Sequence, residues 1–252
     1  MRKGFILLRV KLINYTQKPL ETLYAAYRTC YSKKSPIEIW QELETLDSKK
    51  VEHFIIERLK THHNSPLEQV IFWFGVEGFS RVASHQLIRH RIGISFEQQS
   101  QRYVQLHGLN PLENIEMPKT WQKSALSEEF KDLIVKMFAL YKRAIEDDIP
   151  VEDARFILPQ ASKSNLQICV NLAELLHIAD LRLCLRAQWE IRKLVSLMRR
   201  EVRRVMPLIG GYMQPKCKEF RQGFCDEPYD AYMKCPLRKV RPHKEDLFKE
   251  MG

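Results

Sequence analysis

Between Gln86 and Tyr103 the chain packs three arginines, one histidine and four glutamines into eighteen positions. The order is Gln86-Leu87-Ile88-Arg89-His90-Arg91, then Ile92 to Gln99, then Ser100-Gln101-Arg102-Tyr103. A guanidinium presents paired N–H donors in a fixed fork that matches a phosphate dianion, while glutamine amides donate and accept at the edge of a base or a ribose. Nine glycines are present, and none is spaced as GxGxxG or GxxxxGK[ST], so neither glycine-dependent phosphate cradle exists. Any phosphate must then be held largely by arginines, and the stretch has the composition of a nucleotide site. Taken alone, an Arg-His-Arg triplet is more often a basic helix end beside a solvated loop.

Subtracting 31 acidic residues from 41 Lys and Arg leaves a net charge of +10, which favours anionic partners. Hydrophobic residues make up 44% of the chain, enough for a sizeable core and too many for a disordered protein. No apolar run reaches the roughly 18 residues of a membrane span, and Arg9 and Lys11 interrupt the opening Met1–Leu8 before a signal-peptide core forms. The six cysteines contain no CxxC pair, and a reducing compartment fits them. The chain reads as a cytoplasmic globular protein without a membrane partner.

The elements that must position these residues follow from periodicity. Leu8 to Leu12 alternates as a half-buried strand, and Pro19 opens a helical stretch. Val51, Phe54, Ile55 and Leu59 mark an amphipathic helix. Ser65 reads as the N-cap of a brief helix with Pro66 at its first position, and Val70 to Val76 as a buried strand. Ser80 is expected to cap a helix running to Arg89, which would set Gln86 and Arg89 three apart on one face. After Gly93 a polar loop is expected, with Arg102 to Val104 extended. Ser127 begins a helix whose core face carries Phe130, Leu133, Ile134, Met137, Phe138 and Tyr141 until Pro150 ends it. A last long helix has Ile191, Leu194, Val195, Met198, Val202 and Val205 on one side and six Lys or Arg on the other. After Pro207 the character changes, so residues 1–207 read as one domain and 208–252 as a surface extension.

The arginine block resembles the signature of flavin-dependent thymidylate synthases, Arg-His-Arg followed after seven or eight residues by Ser and then Arg-Tyr; here eight residues, 92 to 99, intervene. Upstream, His63-Asn64-Ser65-Pro66-Leu67-Glu68 with Phe72 and Phe74 is similar to that family's His-x-Ser/Thr-Pro-x-Glu segment. Downstream, Ala154-Arg155-Phe156-Ile157-Leu158-Pro159 resembles its Ala-Arg-x-x-Leu-Pro block. Leu181-Arg182 with Ala187-Gln188-Trp189-Glu190-Ile191-Arg192 resembles its Leu-Arg and Ala-Gln-x-Glu-Ile-Arg blocks. The likeness runs over residues 5 to 207.

The resemblance implies an α+β fold of mixed helices and antiparallel sheet, and a homotetramer with active sites shared between subunits. It implies reductive methylation of dUMP to dTMP, with methylene-tetrahydrofolate giving the carbon and NADPH-reduced FAD the hydride. By resemblance FAD is bound by His63, Ser65, Arg89, His90, Arg91, Gln98, Asn171 and His177. The dUMP set is Gln86, Arg89, Gln98, Gln99, Ser100, Gln101, Arg102, Arg155 and Arg182. Arg182 is the catalytic residue, a permanent cation that favours the enolate-like uracil and enriches C5 in electron density. Two positions depart from the family pattern. Ala173 stands where an arginine is usual, with Arg186 as a substitute, and Glu97 adds a negative charge to the signature loop.

Cys217, Cys225 and Cys235, spaced by seven and nine residues and followed by His243, fit no common zinc finger and read as packing thiols, with no metal expected. Cys169 and Cys184 lie among apolar neighbours and read as core residues rather than nucleophiles. Two alternatives stay open. One is a basic nucleic-acid-binding protein using the last helix without catalysis, although the ordered blocks favour an enzyme with no nucleic-acid partner. The other is a related flavoprotein that methylates another pyrimidine.

Overall fold

The structure is a computed structural model of the 252-residue chain and describes residues 7–61, 63–106, 110–218 and 221–250. Met1–Ile6, on which most of the reading of the chain's opening rests, lies outside the described residues.

Strand β1 (Arg9–Tyr15) leads into α1 (Pro19–Tyr31), α2 (Pro36–Leu43) and α3 (Ser48–Leu59). A capping box starts α2: Ser35 Oγ accepts from Glu38 N–H, and the Glu38 carboxylate accepts from Ser35 N–H at 2.6 Å. A 3-10 turn at Ser65–Gln69 precedes β2 (Ile71–Ser80), α4 (Arg81–Leu87) and β3 (Ile94–Gln98). There follow α5 (Lys119–Gln122), α6 (Ser127–Glu146), α7 (Val151–Ala154), a 3-10 turn at Arg155–Ile157 and β4 (Lys163–Asn171). The chain ends with α8 (Leu172–Arg182), α9 (Trp189–Val205), α10 (Pro207–Tyr212), α11 (Tyr229–Met233), a 3-10 turn at Pro236–Lys239 and α12 (Lys244–Glu250). The four strands form an antiparallel sheet in the order β1-β2-β4-β3, so the fold is α+β as expected.

Two compact units divide the chain, one of residues 1–10, 75–89 and 96–168, the other of residues 11–74, 90–95 and 169–252. The first has a core of Leu106, Ile115, Ile134, Phe138, Tyr141 and Ala154, against which Phe130 and Met137 pack. In the second, Leu23, Tyr27, Ile55, Phe72 and Phe74 are buried, as are Leu172, Leu175 and Ile178 of α8 and Ile191, Leu194 and Met198 of α9. The apolar stripe read from α9 is thus buried, whereas Leu133 of α6 is 54% exposed and leaves the stripe assigned to it.

Four local expectations change. The polar loop after Gly93 contains β3, because Ile94, Phe96 and Gln98 alternate with exposed Ser95 and Glu97 at the strand period. Arg102 to Val104 is a turn rather than extended chain, since Ser100 O accepts from Tyr103 N–H and Val104 N–H and Ser100 Oγ accepts from Arg102 N–H. The helix capped by Ser80 Oγ ends at Leu87 with Ile88 as its C-cap, so Arg89 lies past it and shares no helix face with Gln86. Ser65 is the first residue of its 3-10 turn, not its cap; Asn64 takes the cap position without a side-chain bond.

The segment after Pro207 is folded into its unit by specific contacts. Gly210 allows α10 to close on α9, since a Cβ there would sit 2.5 Å from Arg203 Cα, and Arg199 Nε donates to Gly210 O at 3.0 Å. Lys218 Nζ donates to Asp180 Oδ1 of α8 at 2.7 Å, and Lys216 N–H to Asp180 O at 3.0 Å.

Candidate active site

The second unit holds one part of the candidate site, and α8 organises it. Asn171 caps that helix, its Oδ1 accepting from Glu174 N–H at 2.9 Å, and Asn171 N–H donates to Gly93 O at 2.8 Å. Gly93 has φ +70°, and a Cβ on it would meet Asn171 Nδ2 at 2.5 Å. Only glycine lets the segment after Arg91 turn against the helix cap.

This contact seats the buried His90 along α8. Its Nδ1 is 2.7 Å from Glu174 Oε1, and its Nε2 accepts from Arg182 Nε at 3.1 Å. An arginine cannot accept a proton, so Nε2 carries none and the ring proton sits on Nδ1, donated to Glu174. Burial drives the same outcome, lowering the His90 pKa to about 4, with Arg182 and His177 adding to the shift. The His90–Glu174 contact is therefore a hydrogen bond from a neutral imidazole, not an ion pair. Burial raises the Glu174 carboxyl, opposed by His177. It also lowers Arg182, which nonetheless stays a cation.

His90, Glu174 and His177 bring three ligand atoms within 4.8 Å of one another. Both nitrogens of His90 are engaged, one of them by a guanidinium that would repel a second cation, so the group is a hydrogen-bonded relay and not a metal site. His177 is exposed, its ring edge-on to His90 at 5.7 Å. Arg91 is exposed and makes no side-chain hydrogen bond or ion pair among the described residues.

In the same unit Tyr31 OH lies 2.8 Å from His63 Nδ1, and Ser65 Oγ lies 3.1 Å from His63 Nε2. His63 thus orients the Ser65 hydroxyl. The Ala187-Gln188-Trp189-Glu190-Ile191-Arg192 block is structural in its first role: Gln188 Oε1 caps α9, and Arg192 Nη1 donates to Leu185 O at 2.9 Å. It fixes the turn that follows Arg182. Arg186 points to Glu227, 3.7 Å away.

The first unit carries the remaining residues. Gln86 lies on α4, and Arg89, two residues beyond its end, is exposed with no side-chain partner among the described residues. Gln99 is tied down, its Oε1 accepting from Asn165 Nδ2 at 3.0 Å and its N–H donating to Asn165 O at 2.9 Å. The Nε2 atoms of Gln98 and Gln101 are buried without a partner. Arg102 is not free, since it pairs with Glu152 at 2.8 Å. Arg155 Nε donates to Glu152 O at 3.0 Å, which leaves its terminal nitrogens available.

Sequence reasoning did not single out Glu174 or Tyr31. Glu174 had a signal, the Asn-x-x-Glu offset from Asn171 at a helix start. Tyr31 had none, since its partner is 32 residues away.

Comparison with known proteins agrees with the blocks. A family described as thymidylate synthase complementing protein matches residues 11–208. The chain is 40% identical over 226 residues to a flavin-dependent thymidylate synthase of Pyrococcus furiosus, covering 88% of this chain and 90% of that one. It is 37% identical over 244 residues to the protein of the same description from Nitratidesulfovibrio vulgaris, covering 93% and 98%. Among solved structures, a UMP/dUMP methylase from Streptomyces cacaoi bound with 5-Br dUMP shares the fold, with a TM-score of 0.67 and 20% identity over 82% of this chain and 94% of that one.

Proposed function

This chain belongs to the flavin-dependent thymidylate synthase family, and from that premise we propose that it converts dUMP to dTMP by reductive methylation. The observation that carries the reading is the Arg182–His90 hydrogen bond, which joins two of the signature blocks across 92 residues.

The residues fit a flavin nucleotide. Arg89 and Arg91 offer unpaired guanidinium groups to its phosphates, the buried Gln98 amide lacks a partner, and Ser65 is oriented by His63. When bound, FAD reduced by NADPH supplies the hydride, and methylene-tetrahydrofolate supplies the carbon. His63, Ser65, Arg89, His90, Arg91, Gln98, Asn171 and His177 form the cofactor set. Asn171 contributes through its amide nitrogen, because its oxygen caps α8.

On the substrate side, Arg89 and Arg155 provide cationic donors for the dUMP phosphate, with Gln86, Gln98, Gln99, Ser100, Gln101 and Arg102 completing the set. Arg182 spends Nε on His90 and keeps its two terminal nitrogens for the uracil edge. The neutral His90 holds that guanidinium without lowering its charge, and Glu174 holds the ring. A cation fixed in this way stabilises negative charge developing on the base and raises electron density at C5. Activation of the base by this cation needs no cysteine nucleophile.

Ile92 and Phe156, each 84% exposed, and Tyr103, 79% exposed, are large apolar side chains near signature residues. They support the homotetramer, in which another copy covers them. The family match ending at residue 208 supports reading 1–207 as the synthase domain and 208–252 as its extension. No helix among the described residues is long and apolar enough to cross a membrane, and a cytoplasmic enzyme accords with that.

Purified protein incubated with FAD, NADPH, methylene-tetrahydrofolate and dUMP should yield dTMP, with no product when any one is withheld. Flavin-loaded protein that forms no dTMP overturns the reading. Methylation of UMP or dCMP in its place would establish the alternative pyrimidine.

A further inference from the structure

The extension brings its three cysteines to a fourth that lies outside it. Cys184 sits just beyond α8, and its Sγ is 4.0 Å from Glu227 Oε1. Glu227 follows Cys225 by two residues and also receives Lys216 Nζ at 3.2 Å. Lys216, the neighbour of Cys217, is itself bonded through its backbone to Asp180 O, four residues before Cys184. Cys225 pairs with the segment at His243: its N–H donates to Pro242 O at 2.8 Å, and its carbonyl accepts from Lys244 N–H at 2.9 Å. Cys235 follows α11, whose Tyr232 ring lies 5.0 Å from the His243 ring and whose Tyr232 OH donates to Arg241 O at 3.0 Å. Four separate stretches of chain thus bring one cysteine each to this region, and Cys184, like Cys169, is half-buried rather than fully buried.

All four are half-buried and free. The fully buried His243 is not a competing ligand, because its Nε2 faces Glu227 O at 2.6 Å and its Nδ1 accepts from Glu245 N–H at 3.3 Å.

We propose that Cys184, Cys217, Cys225 and Cys235 are the ligands of a thiolate-bound metal centre that fastens the extension to the end of α8. Four sulfurs, with the Glu227 carboxylate engaged by Lys216 and His243 by backbone groups, select a soft, thiophilic centre, a zinc ion or an iron–sulfur cluster. The only three-ligand group within 4.8 Å among the described residues is His90, Glu174 and His177, so no three of these sulfurs are that close. Zinc with bonds of about 2.3 Å draws its sulfurs nearer than this, and a polynuclear cluster accepts the wider span. Binding exchanges the thiol protons for metal, and the positive charge of the centre offsets that of the four thiolates it creates. The centre also explains why Cys184, two residues after Arg182, occupies an otherwise apolar Leu-Cys-Leu stretch.

The full chain, purified without a metal-affinity tag and without oxygen, is to be assayed for zinc, iron and acid-labile sulfide. The expected content is about one centre per chain, falling below about a tenth in Cys217→Ser and in Cys235→Ser and unchanged in Cys30→Ser. Iron with equimolar sulfide identifies a cluster, and zinc without sulfide identifies a single ion on which the sulfurs close; both uphold the site. Should the serine variants fail to fold, metal-stripped wild-type protein is titrated with Co2+ and, separately, with ferrous iron and sulfide. Thiolate-to-metal charge-transfer bands saturating at one centre per chain uphold the proposal. Wild-type protein that carries no metal and develops no such bands overturns it, as does full metal content in a folded Cys217→Ser variant.

Discussion

Helix α8 bears two buried polar clusters built in opposite ways. At Asp180 every charge is spent: Oδ1 meets Lys218 Nζ at 2.7 Å, Oδ2 meets Arg221 Nε at 3.5 Å, and the ammonium also contacts Tyr212 O at 3.3 Å and lies 4.5 Å from the Tyr212 ring centre. At His90 the ring is neutral, one carboxylate orients it, and the guanidinium it receives keeps donors in reserve. The closed cluster ties the segment after Pro207 to α8, whereas the open one keeps guanidinium donors unspent. Burial alone does not mark a functional site; unspent hydrogen-bonding capacity beside a fixed charge does.

Cutting the closed cluster should have the largest effect. Asp180→Ala leaves Lys218 buried without its carboxylate, and a loss of about 3–5 kcal/mol is expected from denaturant midpoints. Adding Lys218→Met should restore much of that loss, and no recovery would mean that the pair is not what holds the segment. In the open cluster, Arg182→Ala should lower kcat by about 10²–10³, or roughly 2.7–4 kcal/mol, while folding and flavin content change little. Comparable loss of flavin would make Arg182 a cofactor or structural residue.

The pH response of His90 distinguishes the clusters further. The unfolded chain binds its proton near pH 6.5, as a free imidazole does, and the folded chain only near pH 4. Between those values the unfolded state holds the extra proton, so the His90 contribution, complete above pH 6.5, is lost as pH falls toward 4. The raised Glu174 works in the opposite sense, being easier to protonate in the folded state. The acid slope of wild type should therefore be steeper than that of His90→Gln, and imidazole nitrogen shifts should report an Nδ1-protonated neutral ring at pH 7. The smallest effect is expected at the exposed Arg102–Glu152 pair. Glu152→Ala should cost less than about 1 kcal/mol of stability. By freeing Arg102 it should lower the KM for dUMP if that arginine meets the phosphate.

Residue type and spacing alone supplied the arginine block, the Ser80 cap, the β2 strand and the apolar stripe of α9, because each is a pattern among near neighbours in one continuous stretch of chain. They also supplied the family, since the motif residues recur in order. What they could not supply was β3, whose short alternation is masked by polar residues, or the end of α4 at Leu87, since Ile88 and Arg89 carry no stop signal of their own. The spending of each charge was equally hidden: Arg102 on Glu152, Arg186 on Glu227, and His90 neutral between Glu174 and Arg182. These partners stand 50, 41, 84 and 92 residues apart, and one-dimensional spacing carries no information on which side chain closes a hydrogen bond across the fold. Cys184 shows the same division. Its neighbours in sequence are leucines, and only tertiary packing sets its thiol 4.0 Å from Glu227, two residues from Cys225.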